Sequence, residues 1–130
     1  MLVVDASVAL NASMTETGFQ DLGDPDLVAP RLMWSEARST LHLQNWDGLI
    51  QDGDAQIMRD RLEACPVARR DPGRLGAEAW RVADELGWGR TYDAEYVALA
   101  RLLGCRLVTA DRALWRGTQR LGFVVSPLEL

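Results

Sequence analysis

Lysine is absent from this chain of 130 residues, histidine occurs once, at His42, and cysteine twice, at Cys65 and Cys105. Each shortage excludes some chemistry. One histidine leaves little material for a Ser-His-Asp triad, a zinc site or histidine-dependent acid–base catalysis. The cysteines lack metal-ligand spacing and read as two buried free thiols of a cytoplasmic chain. No apolar run approaches the roughly 20 residues of a membrane span. The N-terminus lacks the basic region and longer apolar segment of a signal peptide, so the expected location is the cytoplasm, away from any membrane. All 14 basic side chains other than His42 are arginine, set against 19 acids for a net charge of −5. That balance argues against broad nucleic-acid binding through net charge but leaves room for a local basic patch. Coding bias in a GC-rich genome is the simplest account of the missing lysine; a preference for phosphate-binding arginine is the other.

What remains has the apolar and charged fractions of an ordinary globular protein, and the length suits one domain over residues 1–130. Leu2 to Val4 reads as a short strand buried on both faces, running straight into a helix at Asp5 and Ser7. Gly23 to Asp26 is a turn cluster, and Leu27-Val28-Ala29-Pro30 a strand closed by proline. Leu32 to Gln44 fits a helix whose apolar face holds Leu32, Leu43, Met33, Ala37, Leu41 and Trp34. Asp47-Gly48 and Asp52-Gly53 mark turns. Helices are then expected over Asp54 to Cys65 and Leu75 to Leu86, the second closed by Gly87. Pro66 to Arg74 is a loop or short strand. Thr91 to Leu103 is a helix capped by Thr91 or Asp93. A strand at Leu107-Val108, a helix over Ala113 to Leu121 and a last strand within Gly122 to Val125 complete the chain. Arg112, Arg116 and Arg120 are spaced to line one face of that helix. Strands alternating with helices predict an α/β domain, with a parallel sheet flanked by helices on both faces.

Four acids fall where acids are costly. Asp5 and Asp111 each follow a strand, at the carboxyl edge where open α/β sheets hold ligands. Glu36 lies inside the apolar arc of its helix, between Leu43 and Met33. Asp93 opens a helix, on a stripe with Val97 and Ala100, with Tyr96 flanking it. Each has a plain alternative: Asp5, Asp93 and Asp111 can be helix caps, and Glu36 can reach solvent along its stem. Together they suggest convergence at one sheet edge. Four such carboxylates repel one another unless some stay protonated or a hard cation joins them. Mg²⁺ or Mn²⁺ suits an all-oxygen site and can activate a water for attack on phosphorus.

These stretches resemble a known family. Leu2-Val3-Val4-Asp5-Ala6-Ser7-Val8-Ala9-Leu10 is similar to the opening of PIN (PilT N-terminal) domains. Leu27-Val28-Ala29-Pro30 with Trp34-Ser35-Glu36 and Leu41 resembles their second acidic motif. Thr91-Tyr92-Asp93-Ala94-Glu95-Tyr96-Val97-Ala98-Leu99-Ala100 resembles the third and most specific. Leu107-Val108-Thr109-Ala110-Asp111-Arg112-Ala113-Leu114 resembles the fourth. A stand-alone domain of this size is most similar to the virulence-associated protein C (VapC) toxins of bacterial toxin–antitoxin pairs. The resemblance implies a mostly parallel sheet of order 3-2-1-4-5, a homodimer, an RNA substrate, a cognate antitoxin protein and an Mg²⁺- or Mn²⁺-dependent endoribonuclease. It makes Asp5 and Asp93 the principal metal ligands, Glu36 and Asp111 the completing acids, and Ser7 and Thr109 supporting hydroxyls. Arg38, Arg112 and Arg116, with Arg120, are candidates to hold RNA, against the plainer reading of solvated helix faces. Asn11 and the segment 46–74 carry no assigned role.

Competing readings weaken on particular residues. An aspartyl-nucleophile phosphotransferase commonly uses Asp-x-Asp, and position 7 is serine. A phosphorylated receiver needs a lysine. A binding module that has lost activity sits poorly with all four acids present. Cleavage of structured DNA suits a domain with added DNA-binding segments better than this compact one.

Overall fold

The apolar run Leu2–Val4 forms the central strand β1 of the computed structural model, which describes residues 1–130. Successive strand side chains point to opposite faces of a sheet. Leu2, Val3 and Val4 are all buried, so both faces of β1 are covered. Full burial of each such side chain contributes about 1.5–3 kcal/mol. The chain continues through α1 (Ala6–Ala12), β2 (Leu27–Ala29), α2 (Leu32–Trp46), α3 (Asp52–Glu63) and β3 (Val67–Arg69). Then come α4 (Leu75–Leu86), α5 (Tyr92–Leu103), β4 (Arg106–Val108), α6 (Arg112–Gly117) and β5 (Val124–Val125). Single 3-10 turns stand at Gln20–Leu22, Gln119–Leu121 and Pro127–Glu129.

The five strands form one sheet of order β3-β2-β1-β4-β5, as expected, and every neighbouring pair is parallel. Parallel strands need crossovers, and the helices supply them. Helices α1, α2 and α3 pack on one another, while α4 runs along α5, and α5 lies against β1 and β4. One core joins the sheet to both helix groups; a small satellite of Leu10, Leu41 and Met58 sits among α1, α2 and α3.

The register puts Val4 opposite Val108, so β1 and β4 end level, and Asp5 and Thr109 leave the sheet side by side. Several expectations are corrected at element ends. Asp52-Gly53 opens α3 instead of forming a turn, its acids favourable at a helix N-terminus. The helix expected over Ala113 to Leu121 stops at Gly117, and after Thr118 a separate 3-10 turn spans Gln119–Leu121. Arg120 therefore leaves the stripe of Arg112 and Arg116 and donates to the Glu85 carbonyl. Thr91 precedes α5 without a capping side-chain bond. Leu43 is exposed, and the buried face of α2 centres on Met33, Ala37 and Leu41. Cys65 and Cys105 are free but only half-buried.

Candidate active site

Asp5 is 4% exposed and directly follows β1. Its Oδ1 accepts the Val8 amide at 3.0 Å, so the carboxylate does cap α1. Capping occupies only part of it. The Ser7 hydroxyl donates to the same oxygen at 2.6 Å, and the Thr109 hydroxyl donates to Oδ2 at 2.5 Å. Each hydroxyl is held in turn by a backbone amide of the loop after β4. Ala110 N donates to Ser7 Oγ and Asp111 N to Thr109 Oγ1, both at 3.0 Å. A hydroxyl has one proton to give. With its lone pairs receiving an amide, each points that proton at Asp5.

Asp111 follows at the mouth of the same loop. Its Oδ1 accepts the Ala113 and Leu114 amides at 2.9 and 3.1 Å and caps α6. Asp93 lies in the first turn of α5, exposed, with no side-chain hydrogen bond and no ion pair. Glu36 is half-buried at the edge of the apolar face of α2, and the Tyr96 hydroxyl donates to its Oε1 at 2.6 Å. Tyr96 is 1% exposed, so this bond sits against the core. The sequence marked Tyr96 only as a flanking residue. Its position three residues after Asp93, on the buried side of the same helix, was the available signal.

The charges of these groups feel one another. Burial pushes the Asp5 carboxyl up; the Ser7, Thr109 and Val8 donors pull it back only in part, and Asp93 adds repulsion. Glu36 is raised by burial, offset by the Tyr96 bond, then raised further by Asp93, Asp5 and Glu95. Asp93 is raised by desolvation and by Asp111. Burial and the Glu36 carboxylate hold Tyr96 far above its ordinary value, so it remains a donor. None of the four acids forms an ion pair with an arginine. Three sit at helix N-termini, where the dipole offsets part of the repulsion.

The basic candidates divide. Arg38 is committed to Glu63 at 2.8 Å and, two residues from Glu36, leaves the opposite side of α2. Arg112 and Arg116 are exposed and without a carboxylate partner. Asn11 is an exposed amide on α1.

A parallel sheet of this order, with an acid at the end of β1, another after β4 and two more on α2 and α5, is the arrangement of a PIN domain. The chain belongs to the PIN domain family, whose profile matches residues 2–118. Among curated relatives, it is similar to VapC ribonuclease Mb0985 of Mycobacterium bovis, with 34% identity over 115 residues, 88% of each chain. Ribonuclease VapC9 of Mycobacterium tuberculosis matches at the same identity and coverage. Among solved structures, PAE2754 from Pyrobaculum aerophilum shares the fold, with a TM-score of 0.76 at 24% identity over 98% of this chain and 90% of that one.

Proposed function

We propose that this chain is an endoribonuclease, the toxin of a type II toxin–antitoxin pair, acting with Mg²⁺ or Mn²⁺ at Asp5, Glu36, Asp93 and Asp111. The observation that carries the reading is a set of four carboxylates in which Asp93 repels Asp5 and Glu36 and is itself repelled by Asp111, with no arginine paired to any of them. An all-oxygen set of this kind suits a hard cation. No three acidic, histidine or cysteine side chains stand together as a group that could hold a metal ion, so an ion held here would draw on one or two of these carboxylates, with water completing its shell as it commonly does for Mg²⁺.

A bound divalent cation supplies an activated water and offsets charge as phosphorus is attacked. The residues do the rest. Asp5 and Asp93 would be the principal ligands, Asp5 fixed by three donors and Asp93 with no hydrogen bond to hold its carboxylate elsewhere. Glu36, aimed by Tyr96, and the unbonded Oδ2 of Asp111 would complete the acidic set and could accept hydrogen bonds from water. Ser7 and Thr109 hold Asp5 and stabilise its ionised form. Arg112 and Arg116 are free to meet RNA phosphates, whereas Arg38 would first have to leave Glu63. A cognate antitoxin, a homodimeric assembly and a cytoplasmic location belong to the same reading, as the resemblance to the VapC toxins implies.

The test is cleavage of a mixed RNA pool by purified, antitoxin-free protein, with Mg²⁺ or Mn²⁺, with EDTA, and alongside Asp93→Asn. Metal-dependent cleavage, reduced at least a hundredfold in the variant, is expected. Cleavage that persists in EDTA or in folded Asp93→Asn would overturn the assigned site. A folded wild type that binds the ion and cleaves no RNA would overturn the ribonuclease reading.

A further inference from the structure

A groove of about 410 Å³ opens beside the carboxylates, between α6 and the final 3-10 turn. It shares Thr109 and Asp111 with the acid cluster, and Arg112, Trp115, Pro127 and Leu128 line the remainder. Its aromatic wall is fixed in place. Trp115 Nε1 donates to Glu129 Oε2 at 2.9 Å, and the Ser126 amide donates to the same oxygen at 2.6 Å. Ser126 and Glu129 also form a capping box around the last turn. The indole is thus held against a turn that is itself locked. Leu128 is 97% exposed and has no internal packing to explain it. Arg38, Arg69, Arg81 and Arg101 are spent on carboxylates, but Arg112 is not.

An apolar slot with a rigid aromatic wall and a free guanidinium matches the two halves of a nucleotide, a flat base and an anionic phosphate. Base stacking on an aromatic side chain, with arginine at the backbone, is a general means of holding single-stranded RNA. The groove begins at Asp111, so its occupant would lie one step from the reacting phosphate. We propose that this groove is a nucleobase subsite, taking a base next to the cleaved phosphodiester between Trp115 and Leu128, with Arg112 on the adjoining phosphate. The proposal rests on the ribonuclease reading.

Two readouts separate the two claims. Cleavage in Mg²⁺ or Mn²⁺ of short RNAs that vary the base on either side of the cut tests activity and preference. Fluorescence anisotropy of a labelled RNA in EDTA tests holding alone. Wild type is expected to show a modest preference at one flanking position, for the bases that stack most strongly. Trp115→Ala is expected to bind RNA roughly tenfold more weakly, as loss of one stacked base does. It should also flatten that preference. Leu128→Ser, at an exposed position with no folding role, should weaken binding in the same direction, and Trp115→Phe should keep most of it. Wild-type binding and base profile in folded Leu128→Ser and Trp115→Ala would overturn the subsite. Unchanged RNA binding with loss of a partner protein would assign the groove to a protein segment and overturn it equally. RNA held in a Trp115-dependent way but never cut would leave the subsite standing and sink the ribonuclease reading.

Discussion

Thr109 carries more than its size suggests. It is 1% exposed, donates to Asp5 and accepts the Asp111 amide, so one hydroxyl orients two of the four acids. Thr109→Val keeps the shape and removes both bonds. It leaves the Asp111 amide unpaired, and a loss of about 1–3 kcal/mol in stability is expected by urea denaturation. The Thr109 bond also lowers the Asp5 carboxyl, so the acid limb of the pH–rate profile should move to higher pH. An unmoved acid limb would mean that Thr109 is structural only. Tyr96 acts at a distance on Glu36. Tyr96→Phe should cost about 1 kcal/mol and raise the metal concentration needed for half-maximal cleavage more than it lowers the rate at saturation. Equal effects on both would remove Tyr96 as a positioning residue. The acids themselves were legible in the sequence because each breaks a local pattern, a strand end or an apolar face. The Tyr96–Glu36 bond was not, because it joins residues 60 apart, on two helices that belong to different packed groups.

Elements were legible where local rules agree with packing. Leu75–Leu86 ends at Gly87, whose φ of 72° is the left-handed turn that glycine adopts freely, and the sequence places both. The ends of α3 and α6 were misread because Asp-Gly dipeptides and arginine spacing are indifferent to tertiary context. Gly18 shows the reverse case. A glycine is a poor helix former, and sequence alone shows no more than that here. In the fold the chain doubles back over the end of α1, and a Cβ at Gly18 would stand 2.0 Å from the Ala12 carbonyl oxygen. Backbone cannot move aside as a flexible side chain can. Gly18→Ala is expected to destabilise by about 1–3 kcal/mol, the range for forced overpacking, read as a fall in Tm. A wild-type Tm would show that the segment after α1 relaxes freely.

At the scale of the whole molecule, acidity is unevenly priced. Asp5, Glu36 and Asp93 are held above their ordinary values, 3.8 for aspartate and 4.5 for glutamate. In metal-free protein they keep protons that the unfolded chain has already released. Their contribution to stability is therefore fully present below the ordinary values and is lost as pH rises through the raised ones. Asp24, Glu63, Glu85 and Glu129 are held low by hydrogen bonds or arginines. Their contribution is lost as pH falls, in a window below the ordinary values. In EDTA, Tm should fall from mildly acidic to neutral pH. Mn²⁺ at neutral pH should restore it, and Asp93→Asn should flatten the slope. A Tm in EDTA that rises toward neutral pH would contradict the raised carboxyls.

Asp5 and the hydroxyl that aims it are 104 residues apart in the chain. During synthesis at about 5–20 residues per second, that separation is a delay on the order of 10 s. Until then β1 has at most β2 as a partner and not β4, and Asp5 has Ser7 and the Val8 amide beside it but not Thr109. The site is thus completed only once the segment that follows β4 has been made. A cell producing this chain has those seconds before the protein can act, and a partner made alongside it has the same seconds to arrive.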